Sequence, residues 1–442
     1  MNRAAVALIA LTACGSPSHT ADPDAGSNAP DAAVVTPPDA ALPVLGNACP
    51  DRLAEVKRIT MAADAYPYVV NNVLVGRFDN NTTDDVVLLE DEYDSVNQRT
   101  LLRFKTFLGD GTTFAAPIVS NAVFPQYGPE QVLLGDFNGD HLMDILIAYT
   151  DSQDTSRVSY VYVATQQADH TFVLGSAIDV SACKSSSDER YFALGVIDVD
   201  HDGKDDLLAT VSYDGLGAAP AGLSWLHGRA SGLGPATCAR SATVQNAGFP
   251  PQIVTAERFR IGDFDGDGSN DIAALYATQM LLYRSTGPST FVTAAQPAMF
   301  NSADRIAIDP VNHGLIGLDV GTTTSTATRF KTDTAGFTKS TIGTFATEGA
   351  PNGNYDVIRG FAVGDFNGDG LTDVLEVGNH DYSSSTPGFV SFGMACDRNA
   401  QYDWVGGGFT DSVYAVQPIG FGGKTDLVVE DGYDLVLYAI TL

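Results

Sequence analysis

Four short stretches of this 442-residue chain carry oxygen-bearing side chains at regular spacing. They are Asp136, Asn138, Asp140 and Asp144; Asp198, Asp200, Asp202 and Asp206; Asp263, Asp265, Asp267 and Asp271; and Asp365, Asn367, Asp369 and Asp373. Carboxylates packed so closely repel one another unless a cation sits among them. Calcium takes hard oxygen ligands at positions 1, 3, 5 and 9 of such a loop, with the backbone carbonyl of position 7 and a sharp turn at position 6. The carbonyl donors here belong to Leu142, Lys204, Ser269 and Leu371. The spacing predicts four calcium sites, one per loop.

An EF-hand is the competing reading, because Asp365 to Glu376 satisfies that pattern through its twelfth position. Ile147, Ala209 and Ala274 stand at that position in the other loops, and every loop runs into β-type residues where an EF-hand needs a helix. Departures from the pattern are informative. In an earlier, weaker copy Arg77 replaces the leading Asp, so a guanidinium is expected to stand in for the ion by pairing with Asp79 and Asp85. His141 replaces the turn glycine of the second loop, at the cost of a strained left-handed backbone. Degenerate copies near Asp309 and Phe421 lack the ligands and should hold no metal.

These loops mark a repeat, and the repeat dictates the elements that hold them. Units start at residues 77, 136, 198, 263, 309, 365 and 421. Each continues with alternating strands, a Gly/Asp/Ser turn and an aromatic: Phe114, Phe172, Phe291 and Phe337 are four of these. Period-two alternation between turn signals is what half-buried antiparallel strands require. The loops and their strands resemble the FG-GAP/VCBS repeat family, which includes the integrin α-subunit head. That resemblance covers everything after about residue 49. It implies an all-β fold, a seven-bladed β-propeller of four-stranded antiparallel blades, with about four structural calcium ions. The last unit lacks its outermost strand, so the segment Leu53–Thr60 is expected to complete the last blade and cover its edge.

Residues 1–13 read as an export signal: Arg3, then an apolar run from Ala4 to Leu11 too short for a permanent membrane span. The run ends in Leu11-Thr12-Ala13-Cys14, which looks like the lipobox of bacterial lipoproteins, a resemblance that implies acylation of Cys14. Gly15 in place of Asp favours the outer membrane or cell surface over inner-membrane retention. Residues 14–48 are rich in Pro, Ala and Asp and carry no Lys or Arg, so they read as a tether reaching roughly 100 Å. Residues 49–442 are the propeller.

A formal net charge of −30 argues against nucleic acid as a partner and leaves the membrane to the lipid anchor alone. Cys49, Cys183, Cys238 and Cys396 form an even set in an exported chain, hence two disulfides with three connectivities open. The propeller register favours Cys183–Cys238 and Cys49–Cys396. No catalytic group is singled out: the seven histidines form no HExxH pair, and Gly222-Leu223-Ser224-Trp225-Leu226 only approaches a nucleophile elbow. Aromatic inter-blade connections offer a candidate binding face through Tyr66, Tyr68, Tyr127 and Trp404, against the plainer reading that such aromatics pack between blades. The expected function is that of a monomeric surface lipoprotein binding a protein or glycan. A glycan- or lipid-active enzyme on the same scaffold and an architectural envelope component are the alternatives.

Overall fold

The computed structural model describes residues 52–60, 69–79, 81–97, 99–125, 128–129, 131–150, 159–181, 189–213, 222–234, 259–265, 267–276, 279–287, 290–293, 298–299, 305–309, 314–320, 324–333, 336–346, 357–365, 372–379, 388–393, 400–402, 413–421, 424–431 and 434–441. Cys14, the four other cysteines, Tyr66, Tyr68, Tyr127 and Trp404 lie outside them, as do Asn367, Asp369 and Leu371.

Strand β1 is Arg52–Thr60. The first full sheet is β2 (Val69–Gly76), β3 (Asp85–Asp94), β4 (Arg99–Phe107) and β5 (Ile118–Phe124), paired antiparallel in that order. The second contains β6 (Gln131–Gly135), β7 (Asp144–Thr150) and β8 (Ser159–Gln166), with β9 (Phe172–Leu174) and β10 (Ile178–Asp179) both on β8. The third is β11 (Glu189–Ile197), β12 (Asp206–Tyr213) and β13 (Gly222–Leu226), followed by a ribbon of β14 (Gly228–Arg229) and β15 (Gly232–Leu233). The fourth contains β16 (Phe259–Gly262), β17 (Asp271–Tyr276), β18 (Gln279–Gly287), β19 (Thr290–Thr293) and β20 (Ala298–Met299). The fifth is β21 (Arg305–Asp309), β22 (Gly314–Val320), β23 (Thr324–Asp333) and β24 (Gly336–Ala346). The sixth is β25 (Val357–Gly364), β26 (Asp373–Asn379), β27 (Gly388–Gly393) and β28 (Ala400–Tyr402). The last is β29 (Val413–Phe421), β30 (Lys424–Asp431) and β31 (Asp434–Thr441), and β1 pairs antiparallel with β31 to make its fourth strand.

The architecture is all-β and propeller-like: open antiparallel sheets follow one another along the chain. No helix of the described residues is long and apolar enough to cross a membrane. Burial follows strand position. The central strand β3 begins with six consecutive buried residues, β4 alternates half-buried and buried, and the outer strand β5 alternates half-buried with exposed before ending in buried Phe124. A strand flanked on both faces reads as a continuous apolar run, and an edge strand with one wet face reads as an alternation.

The first strands of successive sheets touch in series: β2 with β6, β6 with β11, β11 with β16, β16 with β21, β21 with β25, β25 with β29, and β29 with β2. The glycine that ends such a strand makes room for the neighbour. A Cβ on Gly135 would stand 2.5 Å from Cγ1 of Val196 in β11, so no side chain fits there. The core is accordingly shared between sheets. Leu74, Val87 and Phe104 of the first pack with Leu134, Ile145 and Tyr162 of the second, and Phe124 meets Tyr149 and Tyr162 edge-on. Phe124 is thus core.

Candidate functional site

Each carboxylate loop bridges the first and second strands of its sheet in one register. Gly76 pairs with Asp85, Gly135 with Asp144, Ile197 with Asp206, Gly262 with Asp271, and Gly364 with Asp373. Position 9 therefore opens the second strand, and positions 1–8 form the turn.

Within the turn three loops repeat the same bonds. The position-1 carboxylate accepts the backbone N–H of positions 5 and 6: Asp136 from Asp140 at 3.1 Å and His141 at 2.8 Å, Asp198 from Asp202 at 3.1 Å and Gly203 at 2.9 Å, and Asp263 from Asp267 at 3.1 Å and Gly268 at 3.0 Å. The position-5 carboxylate accepts the N–H of position 7, at 2.9 Å from Leu142, 2.9 Å from Lys204 and 2.8 Å from Ser269. That fixes the peptide joining positions 6 and 7. Position 6 is left-handed throughout, with φ of 67° at His141, 82° at Gly203 and 86° at Gly268. The histidine adopts the backbone that glycine takes elsewhere, as its place in the pattern implied.

Position 9 is buried in all four described loops, with Asp85, Asp144 and Asp271 wholly inaccessible and Asp206 almost so. One oxygen accepts an N–H from the residue two beyond the end of the apolar pairing in the third strand: Gly109 at 2.7 Å, Gln166 at 2.9 Å, Gly228 at 2.7 Å and Ser285 at 2.8 Å. Burial raises these carboxyls from 3.8, against those hydrogen bonds, to about 7 for Asp144 and Asp271 and about 6 for Asp85 and Asp206. Asp140 and Asp136 add to the rise at Asp144, and Asp265 and Asp267 at Asp271. A carboxylate held where its own charge is disfavoured suits a site that receives a cation.

In the second loop Asp144 Oδ2 is buried without a full hydrogen bond, with the Phe137 N–H directed at the carboxylate, in a loop that also carries Asp136, Asn138 and Asp140. The Asp198–Asp200–Asp202 and Asp263–Asp265–Asp271 carboxylates also converge, with ligand oxygens within 4.8 Å of one another. Of the last loop, Asp365 is half-buried at the end of the first-strand segment.

The first loop corrects the sequence reading. Arg77 does not enter the cage: its Nε lies 3.7 Å from Asp84 Oδ1, and the side chain is about half exposed. Asn81 and Thr83 fill the loop instead. The Asn81 amide donates to Asp79 Oδ2 at 2.8 Å and to the Gly109 carbonyl at 2.9 Å, and the Thr83 hydroxyl donates to the same carbonyl at 2.7 Å. An arginine does meet a cage carboxylate, but in the fourth loop, where Arg284 Nε lies 2.6 Å from Asp265 Oδ2. The degenerate fifth loop starts from a different register: Asp309 ends its strand opposite Gly314, and its buried carboxylate pairs with Arg329 at 2.9 Å and accepts the Thr372 hydroxyl at 2.7 Å.

Two positions outside the ligand pattern organise the loops. Position 2 is a core side chain, buried in Phe78, Phe137, Val199 and Phe264, and its carbonyl faces the next sheet: Phe78 accepts from Gln166 Nε2 at 2.5 Å and Phe137 from the Arg229 N–H at 3.1 Å. Position 8 reaches the preceding sheet. Asp205 donates its N–H to the Asp136 carbonyl at 2.8 Å and accepts the Asp136 N–H on Oδ2 at 2.7 Å. The apolar-acidic alternation Asp-Phe-Asx in the sequence already carried the position-2 signal. Nothing in the sequence announces position 8.

Residues 136–209, which hold the second and third loops, match the family model for an FG-GAP-like repeat. No curated relative matches the chain by sequence. Among solved structures, similarity is found to an Agrocybe aegerita lectin that recognises non-reducing terminal N-acetylglucosamine, at 12% identity over 77% of this chain and 86% of that one, with a TM-score of 0.45. The exotype rhamnogalacturonan lyase YesX matches at 14% identity over 88% and 75%, with a TM-score of 0.42. The Pseudomonas aeruginosa periplasmic gluconolactonase PpgL matches at 12% over 81% and 98%, with a TM-score of 0.39. Likenesses this distant decide neither ligand nor activity.

Proposed function

We propose that residues 49–442 form a closed seven-bladed ring stiffened by calcium, carried outside a bacterial cell by an acylated Cys14 and the tether of residues 14–48, and that the ring is a binding module for a surface protein or glycan. Repetition carries this reading. The same hydrogen-bonded cage recurs at one place in successive sheets, in the loops starting at Asp136, Asp198 and Asp263. A catalytic metal needs an open coordination position in one pocket. Ions at equivalent places in several sheets serve the scaffold.

Calcium in the second loop is supported by the buried Asp144 carboxyl, raised by burial and by Asp140 and Asp136 to about 7, and the Asp365 loop shares its register. Ring closure is supported by a bond pair seen twice. At the junction of the second and third sheets Asp205 exchanges two bonds with Asp136; at that of the first and last, Asp84 N–H donates to the Gly420 carbonyl at 3.3 Å and Asp84 Oδ2 accepts the Gly420 N–H at 2.7 Å. A residue bonding to the sheet before it, across the chain's two ends, is what a ring requires. Pairing of β1 with β31 supports it further, since it covers the edge of the last sheet.

The test has two arms. Excess EGTA should lower the melting temperature, and purified protein on a glycan and surface-protein array should retain a ligand without changing it. An unchanged melt in EGTA, or turnover of an arrayed saccharide, overturns the reading.

A further inference from the structure

One residue at or near the end of the third strand stands beside the carboxylate cage, and it differs from loop to loop. It precedes the N–H that bonds position 9, so the equivalent residues are Leu108, Thr165, His227 and Arg284. A methyl-bearing side chain adds no charge or strong ligand there, and Arg284 adds a permanent cation against Asp265. His227 adds a nitrogen ligand. Its Nδ1 lies 3.4 Å from Asp200 Oδ2 and 3.3 Å from Asp206 Oδ2, and those three groups converge within 4.8 Å. Neither approach has hydrogen-bond geometry: Nδ1 is buried without a partner, and so is Asp200 Oδ1.

We propose that the third loop is a transition-metal site, in which His227, Asp200 and Asp206 hold a zinc-class divalent ion. The reasoning is the chemistry of the donor set. Calcium takes oxygen ligands, whereas imidazole nitrogen with carboxylate oxygen suits zinc and its first-row neighbours. Zinc bonds such ligands at about 2.0–2.2 Å in a tetrahedron, which separates neighbouring ligand atoms by about 3.3 Å. The observed spacing of the nitrogen from the two oxygens equals that edge. The backbone is already committed to the arrangement. Asp206 is anchored by the N–H groups of Val199 at 3.0 Å and Gly228 at 2.7 Å, and Gly228 adjoins His227. Asp202 is paired with Lys204 Nζ at 2.8 Å, and the carboxylates that group with His227 are Asp200 and Asp206, with a fourth position for water.

The proposal rests on the loop forming the cage described above, but not on calcium filling it. The purified full chain, stripped with chelator, is titrated with Zn2+ against a competing indicator, once without calcium and once in millimolar calcium. One zinc should bind in both titrations. His227→Gln should weaken that ion by at least about 100-fold, since loss of a supporting outer-shell group alone costs up to that factor. Asp200→Asn should weaken it as well, which covers a failure of the first variant to fold. His201→Asn is the control: His201 is exposed in the same loop at φ 59°, a conformation asparagine tolerates, and zinc binding should be unchanged. Co2+ bound in place of zinc should show visible absorption bands that His227→Gln abolishes. Equal zinc binding by wild type and His227→Gln, or no zinc bound by wild type in either titration, overturns the proposal and leaves His227 as an ion-pair partner of Asp200 and Asp206. Loss of calcium-dependent melting with zinc binding intact would instead count against calcium in the other loops alone.

Discussion

Replacing Asp144 by Asn separates a carboxylate held for a cation from one held for the fold. Its Oδ1 accepts the Gln166 N–H at 2.9 Å, and an amide oxygen can keep that bond. Its Oδ2 makes no full hydrogen bond, and an NH2 group there would stand near Asp136, Asp140 and the Phe137 N–H. Burial, aided by Asp140 and Asp136, raises the carboxyl from 3.8 to about 7. Ionising it in the metal-free loop above about pH 7 therefore costs at most about 4 kcal/mol, which the neutral amide avoids. Spread over a domain of this size, that is a gain of about 5 °C or less in melting temperature. With calcium the sign reverses. An ion present at a hundred times its dissociation constant contributes about 2.7 kcal/mol per site, and Asn lacks the charge to keep it. Differential scanning calorimetry of both proteins, in EGTA and in excess calcium, should show Asp144→Asn the more stable in EGTA and the less stable in calcium. A variant destabilised equally in both would mean that Asp144 is a purely structural anchor, and the cation reading of the loop would fall.

His141→Gly should raise stability by about 1 kcal/mol in a urea titration, because His141 sits at φ 67° where glycine carries no steric penalty. Its calcium affinity in the second loop should rise with it, as seen by isothermal titration. Arg284→Gln removes the guanidinium from Asp265 and should increase the calcium-induced melting shift, since the fourth loop then lacks its own cation. An unaltered shift would mean the ion and Arg284 do not compete. The chelated protein should lose stability as pH rises from about 4 to about 7. Asp85, Asp144, Asp205, Asp206 and Asp271 all have carboxyls raised by burial to about 6 or 7, so across that window the folded state holds protons that the unfolded state has released. Their favourable contribution is full below about pH 4 and gone above about pH 7. Saturating calcium, which binds the ionised form, should restore stability most at the upper end; melting curves across that range with and without calcium check it.

The repeat and the sheet type were legible because both are properties of spacing. Asp at alternate positions, a turn residue at position 6 and alternating strands survive in the sequence whatever the neighbours do, and the cage bonds of Asp136, Asp198 and Asp263 follow from them. The direction in which a long side chain turns is not a property of spacing. Arg77 stands in place of a ligand, yet the structure sends it toward Asp84, because Asn81 and Thr83 already satisfy the loop interior through the Gly109 carbonyl. Arg284 and His227 lie far from their loops in sequence and reach them only because the third strand passes beside position 9. Sequence alone gives no reason to group them with the carboxylates.

That grouping explains why near-identical loops need not behave identically. The cage itself is fixed by backbone N–H donors to positions 1, 5 and 9, which leaves little freedom to tune it by changing ligands without losing the turn. The residue beside the cage is free to vary, since it contributes to the cage through its side chain while its successor supplies the structural N–H. A repeat can therefore keep one fold while the group beside the cage changes: an alkyl chain at Leu108, a hydroxyl at Thr165, an imidazole at His227, a guanidinium at Arg284. Position 8 plays the corresponding part between sheets. It lies in the same loop, bonds the sheet before it in Asp205 and Asp84, and so couples the order of each cage to the seam beside it. Filling a cage would then stiffen a junction between sheets as well as a turn.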